Sequence, residues 1–162
     1  MKSLIFAIGL LVGLFNVSYA TSQNTSASSH EVYLEMDHLK KISQTPVKFT
    51  TDVDDSEWDY LPSKLKTLDL SNINSLSEKG SQRIKGMIIE NLNISNLNLY
   101  DDVLQNLPSG LKHLNISGNP MGGFGLQYLP ETLEEIDVKN TLISEKAIAQ
   151  YLSDRLNLKI NR

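Results

Sequence analysis

An apolar spacing that recurs along most of the chain constrains its fold more than any other feature. In residues 111–116, LKHLNI, apolar side chains occupy the first, fourth and sixth places, and they do so again in residues 133–138. The same spacing defines units that start near residues 44, 65, 89, 111, 133 and 155, of which the first and last are degraded. A unit that recurs at a nearly fixed period predicts a repeat architecture with atypical terminal units.

Each unit combines a strand pattern with a helix pattern. Polar and apolar side chains alternate in residues 113–117, HLNIS, which predicts a strand with one apolar and one polar side. Apolar pairs at matching offsets, such as 103–104 and 147–148, predict a short amphipathic helix after each strand. Ser77 and Ser144 are the predicted helix N-caps. Since parallel strands need such crossovers, we predict an α/β fold with stacked parallel strands.

Three units are preceded by nearly identical joints, YLPSKL, NLPSGL and YLPETL, which contain Pro62, Pro108 and Pro130. Proline cannot continue a helix, so each joint is expected to turn the chain into the next strand. The unit resembles the leucine-rich repeat, and the joint is similar to that of short bacterial secreted members. The helical part looks like the ribonuclease-inhibitor type. Over residues 44–162 this resemblance implies a leucine-rich repeat solenoid, with parallel β-strands on its inner face and short helices on its outer face.

The ninth place of the unit departs from the family pattern. Only Asn119 carries the expected asparagine there, and the other units have it one place earlier, at Asn72, Asn96 and Asn140. We therefore expect an irregular asparagine ladder and interpret Asn119 as a turn residue.

The start of the chain predicts export. Lys2, an apolar run over residues 4–15 and the small residues of Ser18-Tyr19-Ala20 are typical of a signal peptide, residues 1–20, cleaved after Ala20. We expect a periplasmic or secreted protein with no membrane segment after cleavage.

Two segments separate the signal peptide from the repeats. The small polar residues of 21–30 predict a disordered spacer. Residues 31–43 are the predicted N-terminal cap, whose pattern fits a helix or a strand; we favour a helix. The repeat domain then occupies residues 44–162.

Composition excludes several classes of function. The chain contains no cysteine, so it can have neither disulfides nor thiol catalysis, and together with export this favours a bacterial protein. It carries 15 basic and 19 acidic residues, a net charge of −4. Nucleic acid binding needs a basic stripe, so we predict no nucleic acid partner.

The polar side of the predicted strands is the candidate functional site. Equivalent places in successive units form columns there, and the last unit is predicted to contribute Asn157, Lys159 and Asn161 to the first, second and third columns. The inner face of a repeat array commonly binds a partner, but few aromatic side chains stand on it, so a merely solvated surface is an equal alternative. The candidate protein-binding residues are Asp69, Asn91, Asn93, His113, Asn115, Ser117, Glu135, Asp137 and Lys139.

Other motifs favour structural interpretations. His113 with Asp69, Glu135 and Asp137 could hold a cation, but no further ligand spacing supports this, and we predict no metal and no cofactor. The acidic run DVDDSEWDY lacks the glycine and glutamate of a calcium loop, and is interpreted as a helix start at Ser56. In that interpretation its Trp58 and the following Leu61 pack inward. The glycines of MGGFG, residues 121–125, are expected to turn the chain, with Phe124 on the rim.

The resemblance implies an exported protein-binding module that acts at a host interface or in the envelope, without chemistry. An inhibitor of a secreted hydrolase is the alternative, and a metal-dependent enzyme is a weaker one. We predict that the protein is not an enzyme. The last strand, at residues 158–160, has no polar cap after it, so its open edge could pair with another chain in a dimer.

Overall fold

The computed structural model describes residues 47–49 and 53–162. The predicted signal peptide (1–20), spacer (21–30) and cap (31–43) lie outside the described residues. Where the structure is described, no helix is both long enough and apolar enough to cross a membrane.

Among the described residues, six strands form one sheet in which every neighbouring pair is parallel and the strands follow chain order. This confirms the predicted α/β fold with stacked parallel strands. The strands are β1 (Val47–Lys48), β2 (Lys64–Asp69), β3 (Ile88–Asn93), β4 (His113–Asn115), β5 (Glu135–Asp137) and β6 (Lys159–Asn161).

The predicted apolar places form the core. Leu111, Leu114 and Ile116 are buried, and so are the residues at the same places in the flanking units. Register explains this continuity, because Leu92 pairs with Leu114 and Leu114 pairs with Ile136. Alternation therefore stacks apolar side chains on one side of the sheet and polar side chains on the other.

In the described part of the chain, five helical segments connect the strands, and each contacts the next one along the chain. Two are α-helices, α1 (Glu78–Lys85) and α2 (Glu145–Leu152). Three are 3-10 helices, η1 (Trp58–Tyr60), η2 (Asp101–Asn106) and η3 (Phe124–Tyr128).

Both predicted N-caps are confirmed. The Ser77 hydroxyl accepts a hydrogen bond from the Gly80 N–H at 3.0 Å, and the Ser144 hydroxyl accepts one from the Ala147 N–H at 3.2 Å. Each bond satisfies an N–H of the first helical turn that has no partner within the helix.

The predicted helix start at Ser56 is wrong. Residues 55–57 form a turn, and η1 begins only at Trp58, with Glu57 at its N-cap. The expected packing of Trp58 and Leu61 is confirmed, since both are buried.

The proline joints decide which kind of helix forms. Each 3-10 helix is followed by an extended leucine, Leu61, Leu107 or Leu129, and then directly by proline. Proline disfavours helical backbone at the residue before it, so these helices end early. No proline follows α1 or α2 within four residues, and both extend for 8 residues.

Helix type also sets the spacing between strands. Paired strand residues are 24 apart across an α-helix, as in Leu65–Ile89 and Ile136–Ile160, but 22 apart across η2 and η3. Eight α-helical residues rise about 12 Å, and the six residues of η2 and five of η3 cover about 12 and 10 Å at the larger 3-10 rise. The predicted spacing of 22 before the last unit, with its start near 155, is therefore wrong. Lys159 belongs to the first column and Asn161 to the second.

Asn119 is not a simple turn residue, because its side chain is buried, with 1% of its surface exposed. Its amide donates to the Ile94 and Ile116 carbonyls at 2.8 and 2.9 Å. Its oxygen accepts from the backbone N–H groups of Leu97 and Leu99, both at 3.0 Å. It thereby joins two consecutive units.

The backbone conformation at the place before Asn119 accounts for two of the displaced asparagines, Asn96 and Asn140. Asn96, Gly118 and Asn140 occupy this place in three consecutive units, and all have a positive φ, between 55° and 69°. Asparagine and glycine tolerate this left-handed backbone best.

Candidate functional site

The strand face is the polar side of β2–β6, and two columns of side chains cover it. The first column is Thr67, Asn91, His113, Glu135 and Lys159, and the second is Asp69, Asn93, Asn115, Asp137 and Asn161. With strands about 4.8 Å apart, each column is about 19 Å long.

The side chains of the second column form turns at the ends of the strands that carry them. In four consecutive strands its side-chain oxygen accepts a hydrogen bond from the backbone N–H two residues later. The donor–acceptor distances are 3.0, 3.1, 2.9 and 3.0 Å, and the acceptors are Asp69, Asn93, Asn115 and Asp137. Asp and Asn form such turns readily, so one oxygen of each candidate residue already serves the backbone.

The third-column candidates, Ser117 and Lys139, supply two of these backbone N–H groups. The Lys139 ammonium also contacts the Asp137 carboxylate at 3.2 Å. Both therefore lie beside the second column at the ends of β4 and β5.

An ion pair lies at the end of the strand face that is next to β1. The Lys48 ammonium is 3.1 Å from the Asp69 carboxylate, which also accepts the Ser71 hydroxyl at 2.7 Å. Partial burial opposes ionisation of Asp69, but the hydrogen bonds from Ser71 and Lys48 outweigh it and lower the pKa of Asp69.

A second charged cluster lies at the opposite end of the strand face, at β6. Glu135 accepts hydrogen bonds from Lys159 at 2.7 Å and from Asn161 at 2.6 Å. These two bonds, aided by the charges of Lys159 and His113, lower the pKa of Glu135 to about 2. The His113 Nδ1 atom lies 3.6 Å from the second oxygen of Glu135.

Between the charged ends lies an open depression of about 280 Å³, lined mainly by uncharged polar side chains. Asn91 is fixed at its floor, because its amide donates to the Lys66 carbonyl at 3.2 Å and to the Thr67 hydroxyl at 3.1 Å. Asn93 is held by a bond to Asp69 at 3.0 Å. His113, on the central strand β4, has 45% of its side chain accessible.

The structure brings together most of the predicted site. The depression is lined by Asn91, Asn93, His113, Asn115, Glu135 and Asp137, while Asp69, Ser117 and Lys139 lie at its borders. Thr67, Lys159 and Asn161 belonged to the predicted columns but not to the candidate protein-binding residues. Thr67 lies in the first column as predicted, whereas Lys159 and Asn161 each lie one column earlier than predicted, because the last spacing is 24.

The proposed cation ligands do not converge. Asp69 is two strands away from His113 and is paired with Lys48. Over the described part of the chain, no three His, Cys, Asp or Glu side chains are grouped so that they could hold a metal ion.

The fold and the face define an α/β protein with a six-stranded parallel sheet and an open, polar strand face. No protein-family model matches the chain, and a search of the curated proteins found no match.

Proposed function

We propose that this chain is a leucine-rich repeat solenoid that binds another protein through its strand face. The observation that carries the proposal is the depression in this face, to which strands β2–β6 all contribute side chains. A surface built by several strands offers a partner many contacts at once.

The rigidity of the face supports binding. The turns made by the second column and the two bonds of the Asn91 amide hold polar groups in place before a partner arrives. A fixed side chain loses less conformational entropy on association than a mobile one does.

The charge distribution favours a polar partner surface. The three carboxylates of the face form ion pairs, Asp69 with Lys48, Asp137 with Lys139 and Glu135 with Lys159, so the rest of the depression presents amide, hydroxyl and imidazole groups. Such a centre makes hydrogen bonds rather than strong ionic contacts. The depression is also open to solvent. Small-molecule sites usually enclose most of their ligand, so an open surface suits a macromolecular partner better than a small substrate.

A pair of substitutions in the depression tests the proposal. Asn91→Arg with His113→Arg adds bulk and two positive charges at its centre without touching the second-column turns. The control is Gln105→Arg with Gln150→Arg, which adds the same charge on η2 and α2, where both glutamines are exposed.

Quantitative affinity capture from the source cells is the measurement, with each variant as bait. We expect a protein that wild type and control recover equally and that the depression variant loses. Equal recovery with all three baits would contradict binding at the strand face.

The proposal also covers where the protein acts. Export by residues 1–20 and action at a host interface or in the envelope follow from the sequence and the family resemblance. An inhibitor of a secreted hydrolase would use the same face, and the identity of the captured protein distinguishes it from a general binding module.

A further inference from the structure

The outer edge of β6 has no strand partner among the described residues. On its inner side, the Lys159 N–H donates to the Glu134 carbonyl, and the Asn161 carbonyl accepts from the Val138 N–H, both at 2.9 Å. In a parallel ladder the intervening residue directs its backbone groups the other way. The N–H and C=O of Ile160 therefore point outward.

The apolar core is open at the same edge. Ile160 pairs with Ile136, so it lies in the column of fourth-place residues that are buried in β2–β5. Ile160 itself is only partly buried, and Leu156, just before β6, is 91% exposed. Unpaired backbone beside uncovered apolar surface is a template for another strand.

We propose that a second copy of this chain covers the edge, with the two β6 strands antiparallel about a two-fold axis at Ile160. Each Ile160 N–H then donates to the carbonyl of Ile160 of the partner subunit. Each Arg162 N–H donates to the carbonyl of Leu158 of the partner subunit. A two-fold interface uses the same surface twice, and this edge is complementary to itself.

The side chains of β6 are compatible with this register. Ile160 lies beside the partner's Ile160 on the core side, where an apolar pair stabilises strand pairing. On the polar side Lys159 lies opposite the partner's Asn161, so no like charges face each other across the strands. The edge therefore suits its own copy, and pairing would join the two strand faces into one surface.

Single cysteines test the position of the axis, because the chain has none of its own. Residues opposite each other in a hydrogen-bonded antiparallel pair have Cα atoms about 5.5 Å apart, within disulfide range. Ile160→Cys should therefore form a covalent dimer under mild oxidation. Lys159→Cys is the matched control. In the proposed register position 159 lies opposite position 161 of the partner subunit, so the two introduced cysteines are offset by two positions along the strands and should not form a disulfide. Equal crosslinking of both variants would overturn the proposed register.

Ile160→Pro tests the edge as a whole, because it removes both the outward N–H and the isoleucine side chain of the proposed apolar pair. The ladder with β5 uses backbone groups of Lys159 and Asn161, so it keeps its hydrogen bonds, as proline on an edge strand allows. By sedimentation, the wild type should show the mass of two chains as concentration rises, and the variant that of one chain. Circular dichroism checks that the variant is folded. A wild type that stays at the mass of one chain at about 100 μM, a concentration at which even weak dimers form, would overturn the proposal.

Discussion

At the scale of single residues, Asn119 is the polar side chain on which the stacking of units depends most. Replacing it with alanine leaves the Leu97 and Leu99 N–H groups and the Ile94 and Ile116 carbonyls without their partner. Because unsatisfied buried groups are costly, Asn119→Ala should lower the free energy of unfolding by about 3 kcal/mol.

Urea unfolding, followed by the fluorescence of Trp58, measures this loss. The control is Asn157→Ala, at an exposed position, which should change the free energy of unfolding by less than about 0.5 kcal/mol. Similar losses in both variants would show that the Asn119 bonds contribute nothing special.

Gly80 is required by the indole ring of Trp58. A Cβ atom at this position would lie 2.5 Å from the ring, which is itself buried. Overpacking of this kind predicts that Gly80→Ala destabilises the protein by about 2 kcal/mol. Gly86→Ala is the control, since its nearest atom is 3.6 Å away and its backbone is right-handed.

Thermal unfolding by circular dichroism compares the two glycine variants. Gly86→Ala should be neutral or slightly stabilising, because alanine restricts the unfolded chain more than glycine does. A Gly80→Ala protein as stable as wild type would mean that Trp58 can move aside.

Glu135 makes stability sensitive to acid. Its pKa is about 2 in the folded protein against an ordinary 4.5, so folding favours the ionised form. The stabilisation it provides is present above pH 4.5 and is lost as the pH falls toward 2. Glu135→Gln should therefore flatten the dependence of stability on pH in this window.

Carboxyl NMR titration checks the cause. Lys159→Ala removes the hydrogen bond that contributes most to the lowered pKa of Glu135, so this pKa should rise. A titration midpoint near 4.5 in the wild type would contradict the arrangement at β6.

At the scale of elements, the carboxylate of Asp101 joins η2 to the loop before η3 and to the first turn of η3. It accepts backbone N–H bonds from Gly122, Gly123 and Gly125 at 2.9 to 3.0 Å. The glycines do turn the chain as predicted, since Gly123 has a φ of 103°. Phe124 is 60% exposed and contacts the rings of Tyr128 and Tyr151.

Asp101→Ala removes three hydrogen bonds to a charged group and should cost about 2 kcal/mol. It should also speed amide hydrogen exchange in residues 122–125 more than elsewhere. Asp102→Ala, at the exposed neighbouring position, is the control. Unchanged exchange in this loop would contradict the role of Asp101.

The helical elements show that two local sequence features, amphipathic spacing and proline, carry different information about helix formation. Amphipathic spacing predicted one short helix per unit, and each of the five segments is helical. The spacing could not distinguish α from 3-10 geometry, although the proline of the joint did carry that information. Pro62, Pro108 and Pro130 follow the three 3-10 helices, so the joint is the feature to examine first in such a sequence.

At the scale of the whole molecule, the sheet was predictable because its apolar places recur in every unit. Alternation alone could not predict the last register, since a shift of two residues keeps every side chain on the same side of a strand. Both Leu158 and Ile160 fitted the pattern, and only the length of α2 selects Ile160 as the partner of Ile136.

The sequence predicted which side chains lie on the strand face, but not what each of them does there. Alternation placed Asn91, His113 and Glu135 on one side. It could not show that Asn93 and Asn115 serve their own backbone, although Asp or Asn at the same place in four units was a legible sign of a turn.

A photo-crosslinking residue at position 113 tests the central claim, that the strand face binds another protein. His113 lies at the centre of the depression and is accessible, whereas Gln105 on η2 provides an exposed control position. We expect irradiation of the source cells to link a second protein to the chain from position 113 and not from position 105. No product from position 113, or the same product from both positions, would contradict the claim.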